Sequence, residues 1–299
     1  MVGAGPVQPA RRTLLSALAC AMMAAGGSWA RPTANTPDRR IAAIDWAMAE
    51  TAVALGHPPV AVAELTQFRP TAPDPLPTDT TDLGLRGAPN LEALTLIAPD
   101  LILSSNYYTF VQPRLEQIAP VLAPTLFVPG ENPFPKVMAA LRTLAERLDD
   151  PQSGIRAQDI AQNRLAALAR DLAPHRDRPL CLINLGDARH LRVFGHDSLF
   201  DGTLRRLGLS NAWTSATAFG FNAPVPMERL IAYPDATLIV IGDIPPQARR
   251  SLATGALWNS LPPVRAGRVR FLPDIHPFGG IPSALVFADR LARALQAAA

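Results

Sequence analysis

Five histidines, two cysteines and a scatter of carboxylates are the residues of this 299-residue chain that could carry chemistry. His57, His175, His190, His196 and His276 form no His-x-x-x-His or His-Glu-x-x-His pair, so no helix face offers two imidazoles to one metal ion. His190 and His196 flank Leu191-Arg192-Val193-Phe194-Gly195, which reads as a strand and a turn, and Asp274 near His276 completes no ligand motif. Cys20 and Cys181 cannot build a disulfide framework or a thiolate cluster. Gly-x-Ser-x-Gly, the P-loop and a Gly-x-Gly-x-x-Gly turn after a strand are all absent, and no two carboxylates pair as general acid and base. The sequence therefore predicts a protein that holds a ligand rather than transforms one. A secreted α/β enzyme, the alternative of another class, would need a nucleophile and a base that are not evident.

Glu92 and Glu228 stand in matching contexts. Pro89-Asn90-Leu91-Glu92-Ala93-Leu94 leads to Pro99-Asp100 and an apolar run, and Pro226-Met227-Glu228-Arg229-Leu230 leads to Pro234-Asp235 and another. Each reads as a helix begun by proline, with an acid near its positive end and a Pro-Asp break into a buried strand. Dipole stabilisation alone would account for either acid; the duplication suggests a shared role. Tyr107 and Tyr108 follow the apolar run Leu101-Ile102-Leu103, where adjacent aromatics serve either as core plugs or as ligand contacts.

The elements that must carry these residues alternate. Arg40–Ile44 is strand-like, Trp46–Leu55 helical, Pro59–Ala63 strand-like and Pro89–Ala98 helical, with a strand at Leu101–Leu103. The grammar restarts with strand Leu180–Leu185, then helical Ser198–Leu207 and Met227–Ala232 and strands Leu238–Ile241 and Val269–Leu272. Such alternation predicts α/β packing with parallel strands. Between the halves, Gln152–Leu172 has no internal proline and sets Ala161, Leu165, Leu168 and Leu172 at spacings of four and three. It predicts one helix of roughly six turns. The expected organisation is 31–151 as an N-terminal lobe, 152–175 as the joining helix and 176–299 as a C-terminal lobe. The 31 prolines exclude a pure helical bundle, and 48% hydrophobic with 18% charged residues excludes intrinsic disorder.

Residues 1–30 read as a secretory signal peptide: no acid, Arg11-Arg12, the apolar run Leu14–Ala25, and Ser28 and Ala30 framing a cut after Ala30. The run is shorter than the ~20 residues of a membrane span. The paired arginines suggest twin-arginine export, with the general secretory route as the alternative. Removing Arg11 and Arg12 from 28 basic residues against 25 acidic ones lowers the formal charge from +3 to +1. No Lys/Arg run longer than a pair survives, which argues against a nucleic-acid partner. Periplasmic localisation is expected.

Further stretches match a known pattern in order: Arg40-Ile41 through Asp45-Trp46; Asp82-Leu83-Gly84-Leu85-Arg86 running into Pro89-Asn90-Leu91-Glu92; Arg189-His190 before Val193-Phe194-Gly195; Ser198-Leu199-Phe200; Asn211-Ala212-Trp213; and Leu257-Trp258 followed by Leu261-Pro262 and Val264-Arg265-Ala266-Gly267-Arg268. In these the mature chain resembles the periplasmic ferric-siderophore-binding proteins of ABC importers, most closely their ferric-hydroxamate-binding members. The resemblance implies two α/β lobes on one long helix, with small closure on a largely preformed cleft. It implies that Arg86 reaches the ligand's iron-binding oxygens and that Tyr108 hydrogen-bonds there. Tyr107, Trp46, Phe68, Phe221, His276 and Phe278 join them as pocket residues, whereas Trp213 and Trp258 are expected in the core. Thr71, Ser104, Gly220 and His276 stand where the closest members carry tryptophan. Glu92 and Glu228 take the positions that dock on the inner-membrane permease. Iron would be chelated by the siderophore, with no protein ligand and no cofactor. A tricatecholate carries a large negative charge and calls for several bases; a trihydroxamate is neutral or weakly charged, so Arg86 suffices, with Arg69 and Arg189 as further pocket candidates. The partners implied are a ferric hydroxamate and an ABC permease, the chain acting as a monomer. A corrinoid or haem carrier is the runner-up.

Overall fold

The computed structural model describes residues 39–187, 189–217 and 225–297. The first half runs β1 (Ile41–Ala43), α1 (Trp46–Ala54), β2 (Ala61–Val62), α2 (Leu65–Phe68), β3 (Thr81–Asp82), β4 (Gly84–Leu85), β5 (Ala88–Pro89), α3 (Leu91–Ile97), β6 (Leu101–Leu103), a 3-10 turn Asn106–Tyr108, α4 (Gln112–Leu115), β7 (Val121–Leu122) and α5 (Phe134–Arg147). Its parallel sheet has the order β3-β2-β1-β6-β7, and β4 and β5 form a separate hairpin. After α6 (Pro151–Asp171) come β8 (Leu180–Leu185), β9 (His190–Val193), α7 (Leu199–Arg206), β10 (Val225–Pro226), a 3-10 turn Met227–Ala232, β11 (Thr237–Ile241), α8 (Pro246–Thr254), α9 (Ala256–Ser260), α10 (Pro262–Arg265), β12 (Val269–Leu272) and α11 (Ile281–Gln296). The second sheet has the order β10-β9-β8-β11-β12; β8, β11 and β12 are parallel, whereas β9 and β10 are antiparallel additions at one edge.

The joining helix α6 lies where the spacing predicts it. Pro151 occupies its first turn, where a missing N–H costs nothing, and the Asp150 carboxylate accepts from Ser153 N. Two helix starts differ from expectation. Pro89 pairs with Gly84 and Pro226 with His190, so both prolines are strand residues. Asn90 caps α3 instead, its side chain accepting from Ala93 N at 3.0 Å. Proline at an edge strand and proline at a first helical turn both exploit the absent N–H, and the stronger cap decides between them. Met227–Ala232 is a 3-10 turn rather than an α-helix; Pro234 bars the following residues from continuing it.

One hydrophobic core runs through both halves. Ile41 and Leu101 of the first sheet, Leu180, Leu182 and Ile239 of the second, and Met48, Leu144, Leu165, Phe200 and Phe287 of the helices belong to it. Strand alternation sends Cys181, Ile183 and Val240 to a second cluster with Trp213 and Trp258, and Ala42, Ile44 and Ile102 to a third. Helix α1 is buried almost all round, the mark of a helix enclosed by its neighbours.

A buried carboxylate adds to that apolar joint. Glu50 of α1 is 2% exposed. It accepts from Gly280 N (2.8 Å), Ser283 N (3.2 Å) and Ser283 Oγ (2.8 Å), so a side chain of the first half caps a helix of the second. Beside it, a Cβ on Gly279 would fall 2.3 Å from Ser283 Oγ and 2.8 Å from Glu50 Oε1, so this approach requires glycine. A second link runs from Gly130 N to Asp197 Oδ2 at 2.8 Å.

Gly154, inside α6, allows α5 to approach: a Cβ there would lie 2.8 Å from Ala145 Cβ and 3.1 Å from Leu141 O. Gly154→Val is therefore expected to destabilise the fold by about 1–3 kcal/mol despite better helix propensity. Urea unfolding measures the difference; an unchanged midpoint would show that the helices can separate without loss.

Candidate functional site

Trp46 begins α1 directly after the central strand β1. Asp45 caps this helix, accepting from Met48 N at 3.1 Å, and also accepts from Ser105 Oγ at 2.7 Å, which ties α1 to the segment after β6. Burial raises the Asp45 carboxyl above its ordinary range, against the opposing pull of Ser105. The Trp46 indole N–H donates to Ala63 O at 2.8 Å, which fixes the ring over the end of β2.

Arg86 is at the tip of the β4–β5 hairpin. Its guanidinium carbon sits 4.0 Å from the Trp46 ring centroid, a cation–π stack. Its Nε donates to Glu64 Oε2 at 2.8 Å. Glu64 adopts left-handed backbone, φ 52°, and faces the hairpin directly. Asp82 holds both sides of this arrangement by accepting from Leu65 N and Gly84 N; those hydrogen bonds keep its carboxyl below the ordinary range despite partial burial.

Tyr107 and Tyr108 lie in the 3-10 turn that Ser105 caps. The Tyr108 hydroxyl is pushed up to about 12 by burial, while a hydrogen bond with Arg86 and its charge pull the other way. It is thus a neutral phenol at physiological pH, able to donate. Tyr107 is 45% exposed.

The second half contributes the segment between β12 and α11. His276 stacks obliquely on Trp46 with centroids 4.6 Å apart, and Phe278 stands edge-on to Tyr107 (5.9 Å) and Phe127 (5.3 Å). Burial first, and Arg86 second, push the His276 imidazole down to about 3 against the opposing pull of a backbone hydrogen bond at Phe278, so it is neutral. Beyond these rings a cavity of about 330 Å³ opens between the halves, lined by Tyr107, Phe127, Phe194, Asp197, Thr217 and Phe278 among others. A larger cavity of about 610 Å³, with Ile244, Leu252, Trp258 and Phe271 in its wall, belongs to the C-terminal half alone and contains none of the expected site residues.

Arg86, Tyr108, Tyr107, Trp46, His276 and Phe278 are brought together at the seam of the halves. Phe68 is not a wall residue: it is 1% exposed and packs behind Trp46 at 5.3 Å, because α2 turns it into the core. Phe221 and Gly220 fall outside the described residues. Arg69 donates to the carbonyls of Leu76 and Pro77 and so braces its own loop, and Arg189 lines a different depression with His190 and Gln247. Ser104 is buried. Trp213 and Trp258 are core residues. Glu92 and Glu228 are exposed, each at the first turn of its element. Sequence reasoning missed Glu64, Asp45 and Phe127. Phe127 lay in the apolar run Leu126-Phe127-Val128, a usable signal; Glu64 had none.

The geometry offers a stacked guanidinium, a phenol and aromatic walls across a seam. Among the described residues no group of three or more His, Cys, Asp or Glu side chains is assembled as a metal site. The profile of the periplasmic binding protein family matches residues 41–275. The chain belongs to that family. Among individual relatives of this periplasmic binding protein, the iron(3+)-hydroxamate-binding protein FhuD of Escherichia coli strain K12 is 33% identical over 293 residues, 95% of this chain and 96% of the relative. The Fe3+–Desferal-bound siderophore-binding protein FhuD of Vibrio cholerae shares the fold with a TM-score of 0.77 at 22% identity, covering 88% of this chain and 99% of that one. The triscatecholate siderophore-binding protein FeuA of Bacillus subtilis, complexed with ferri-bacillibactin, does so with a TM-score of 0.67 at 15% identity, over 88% and 94% of the two chains. Among the described residues of this periplasmic binding protein, no helix is long and apolar enough to cross a membrane.

Proposed function

We propose that the protein captures a ferric hydroxamate siderophore between its lobes, 31–151 and 176–299, and delivers it to an inner-membrane ABC permease. The observation that carries this reading is Arg86. With its flat face on Trp46 and Nε committed to Glu64, its terminal nitrogens are left for Tyr108 and for the oxygens of a ligand seated at the seam. Among the described residues it is the only arginine placed in that group, which suits a neutral or weakly charged trihydroxamate and not a tricatecholate. Iron is cargo, held by the chelate's own oxygens, and the protein surrounds the chelate with donors and rings. The chain acts in the periplasm as a monomeric carrier, not as an enzyme, after removal of residues 1–30.

Ferric chelates quench nearby indole and phenol fluorescence, so titration with ferrioxamine-, ferrichrome- and coprogen-type chelates should quench strongly, and a tricatecholate or cobalamin should not. Absence of quenching and of a thermal shift with every hydroxamate would refute the proposal. Glu92 and Glu228 would dock the loaded carrier. Reversing both charges should abolish permease-coupled uptake while leaving chelate affinity within about twofold, since surface charges remote from a site act weakly on it.

A further inference from the structure

Each docking acid has an exposed aliphatic neighbour. Leu96 of α3 is 81% exposed, the highest value among the exposed large apolar side chains of the described residues, and Ile231 of the 3-10 turn Met227–Ala232 is 53% exposed. Leu96 lies four residues after Glu92, one turn of an α-helix; Ile231 lies three after Glu228, one turn of a 3-10 helix. The spacing thus changes with the helix type in the way that keeps acid and aliphatic chain on one face. Each aliphatic residue also lies three positions before the proline of its Pro-Asp break, Pro99 or Pro234. The duplication in the sequence therefore extends beyond the acids. Neither carboxylate is engaged in an ion pair among the described residues, and the flanking Leu94 and Leu230 point inward, fully buried.

A single exposed aliphatic chain is ordinary surface, but one repeated beside an unpaired acid at the same place in each half matches the composition of an interface, where a rim charge orients and an apolar anchor holds. Its occurrence once per lobe fits a partner that offers the complementary patch twice. We infer that Leu96 and Ile231 are the apolar anchors of the permease-docking surface, each seated in a hollow of one of two equivalent permease surfaces beside the cation that meets Glu92 or Glu228. This rests on the docking reading above and adds to it a second kind of contact at each point. The acids set encounter and register, whereas the aliphatic pair sets how long the complex lasts.

The test compares three proteins against the cognate permease in proteoliposomes, with the ferric chelate of desferrioxamine B as ligand: wild type, the Leu96→Ser/Ile231→Ser double variant and the Glu92→Lys/Glu228→Lys double variant. The serine pair should bind the chelate as wild type does, yet dissociate from the permease at least tenfold faster, with each single change giving about threefold. Its docking should weaken equally at low and high salt, whereas the lysine pair should fail to dock at low salt and regain part of its docking at high salt, where the new repulsion is screened. Wild-type dissociation and uptake by the serine pair, with docking lost in the lysine pair, would overturn the anchor and leave the acids standing. Normal docking by the lysine pair would instead overturn the docking reading itself. A wild-type dimer in solution that the serine pair turns into a monomer would show that the patch serves a second copy of this chain, again overturning the inference.

Discussion

Arg86→Ala should weaken ferric hydroxamate binding about 100-fold, since hydrogen bonds from a charged donor contribute ~1.5–3 kcal/mol each where water is excluded. Two effects combine. The ligand's oxygens lose their cationic donor, and Glu64, 21% exposed at its side chain, becomes the uncompensated charge nearest to them. Arg86→Lys discriminates between charge and geometry. An ammonium keeps the charge but cannot lie flat on Trp46 while also engaging Glu64 and Tyr108, so a loss of about tenfold is expected. Isothermal titration with one trihydroxamate, alongside thermal unfolding, separates affinity from stability. If Arg86→Ala binds as wild type does, Arg86 braces the hairpin only, and the charge argument for a hydroxamate fails with it.

Glu50 should govern stability as Arg86 is expected to govern binding. Glu50→Ala leaves the first N–H groups of α11 without their acceptor in a dry interior and opens a void, with an expected cost of about 2–4 kcal/mol. Burial raises the Glu50 carboxyl to about 8 against three hydrogen bonds that favour its charged form. From its ordinary 4.5 to about 8 the folded chain therefore keeps a proton that the unfolded chain releases. The contribution of the protonated group is complete below that ordinary value and is lost as pH rises through about 8, by roughly 1 kcal/mol per pH unit within the window. Glu50→Gln retains an acceptor and cannot ionise. Urea unfolding at pH 5, 7 and 9 should show wild type losing ground to Glu50→Gln at each step. A constant difference across that range would mean that Glu50 is ionised throughout.

How much could be read from sequence follows from where the information resides. Leu180–Leu185 and Leu238–Ile241 were legible because a strand inside an α/β sheet is apolar along nearly all its length, and α6 because its three-and-four spacing is uninterrupted. Two-residue strands such as β2, β3 and β7 impose too little pattern to be delimited. Pro89 and Pro226 were misplaced because proline marks both edge strands and helix starts. At the site, Arg86 and Tyr108 were reachable only through resemblance, since nothing local separates a stacked guanidinium from a solvated one. Phe68 and Phe278 have the same side chain; only tertiary packing buries the first and leaves the second at the seam. Glu50 did leave a trace, as the one ionisable side chain in Trp46–Ala54, and a charge in so apolar a helix needs a partner from elsewhere.

The unbroken core and the Glu50 cap bear on how such a molecule can have arisen and how it can be divided. Two halves with matching strand–helix grammar suggest modules, yet α1 is enclosed by helices of both, and α11 begins on a carboxylate it does not own. Cutting at α6 would strip apolar faces from each piece and leave α11 uncapped, so neither half is expected to fold alone. The seam between the halves is thus a boundary in shape and not in the core beneath it, and the whole chain is expected to unfold in one transition.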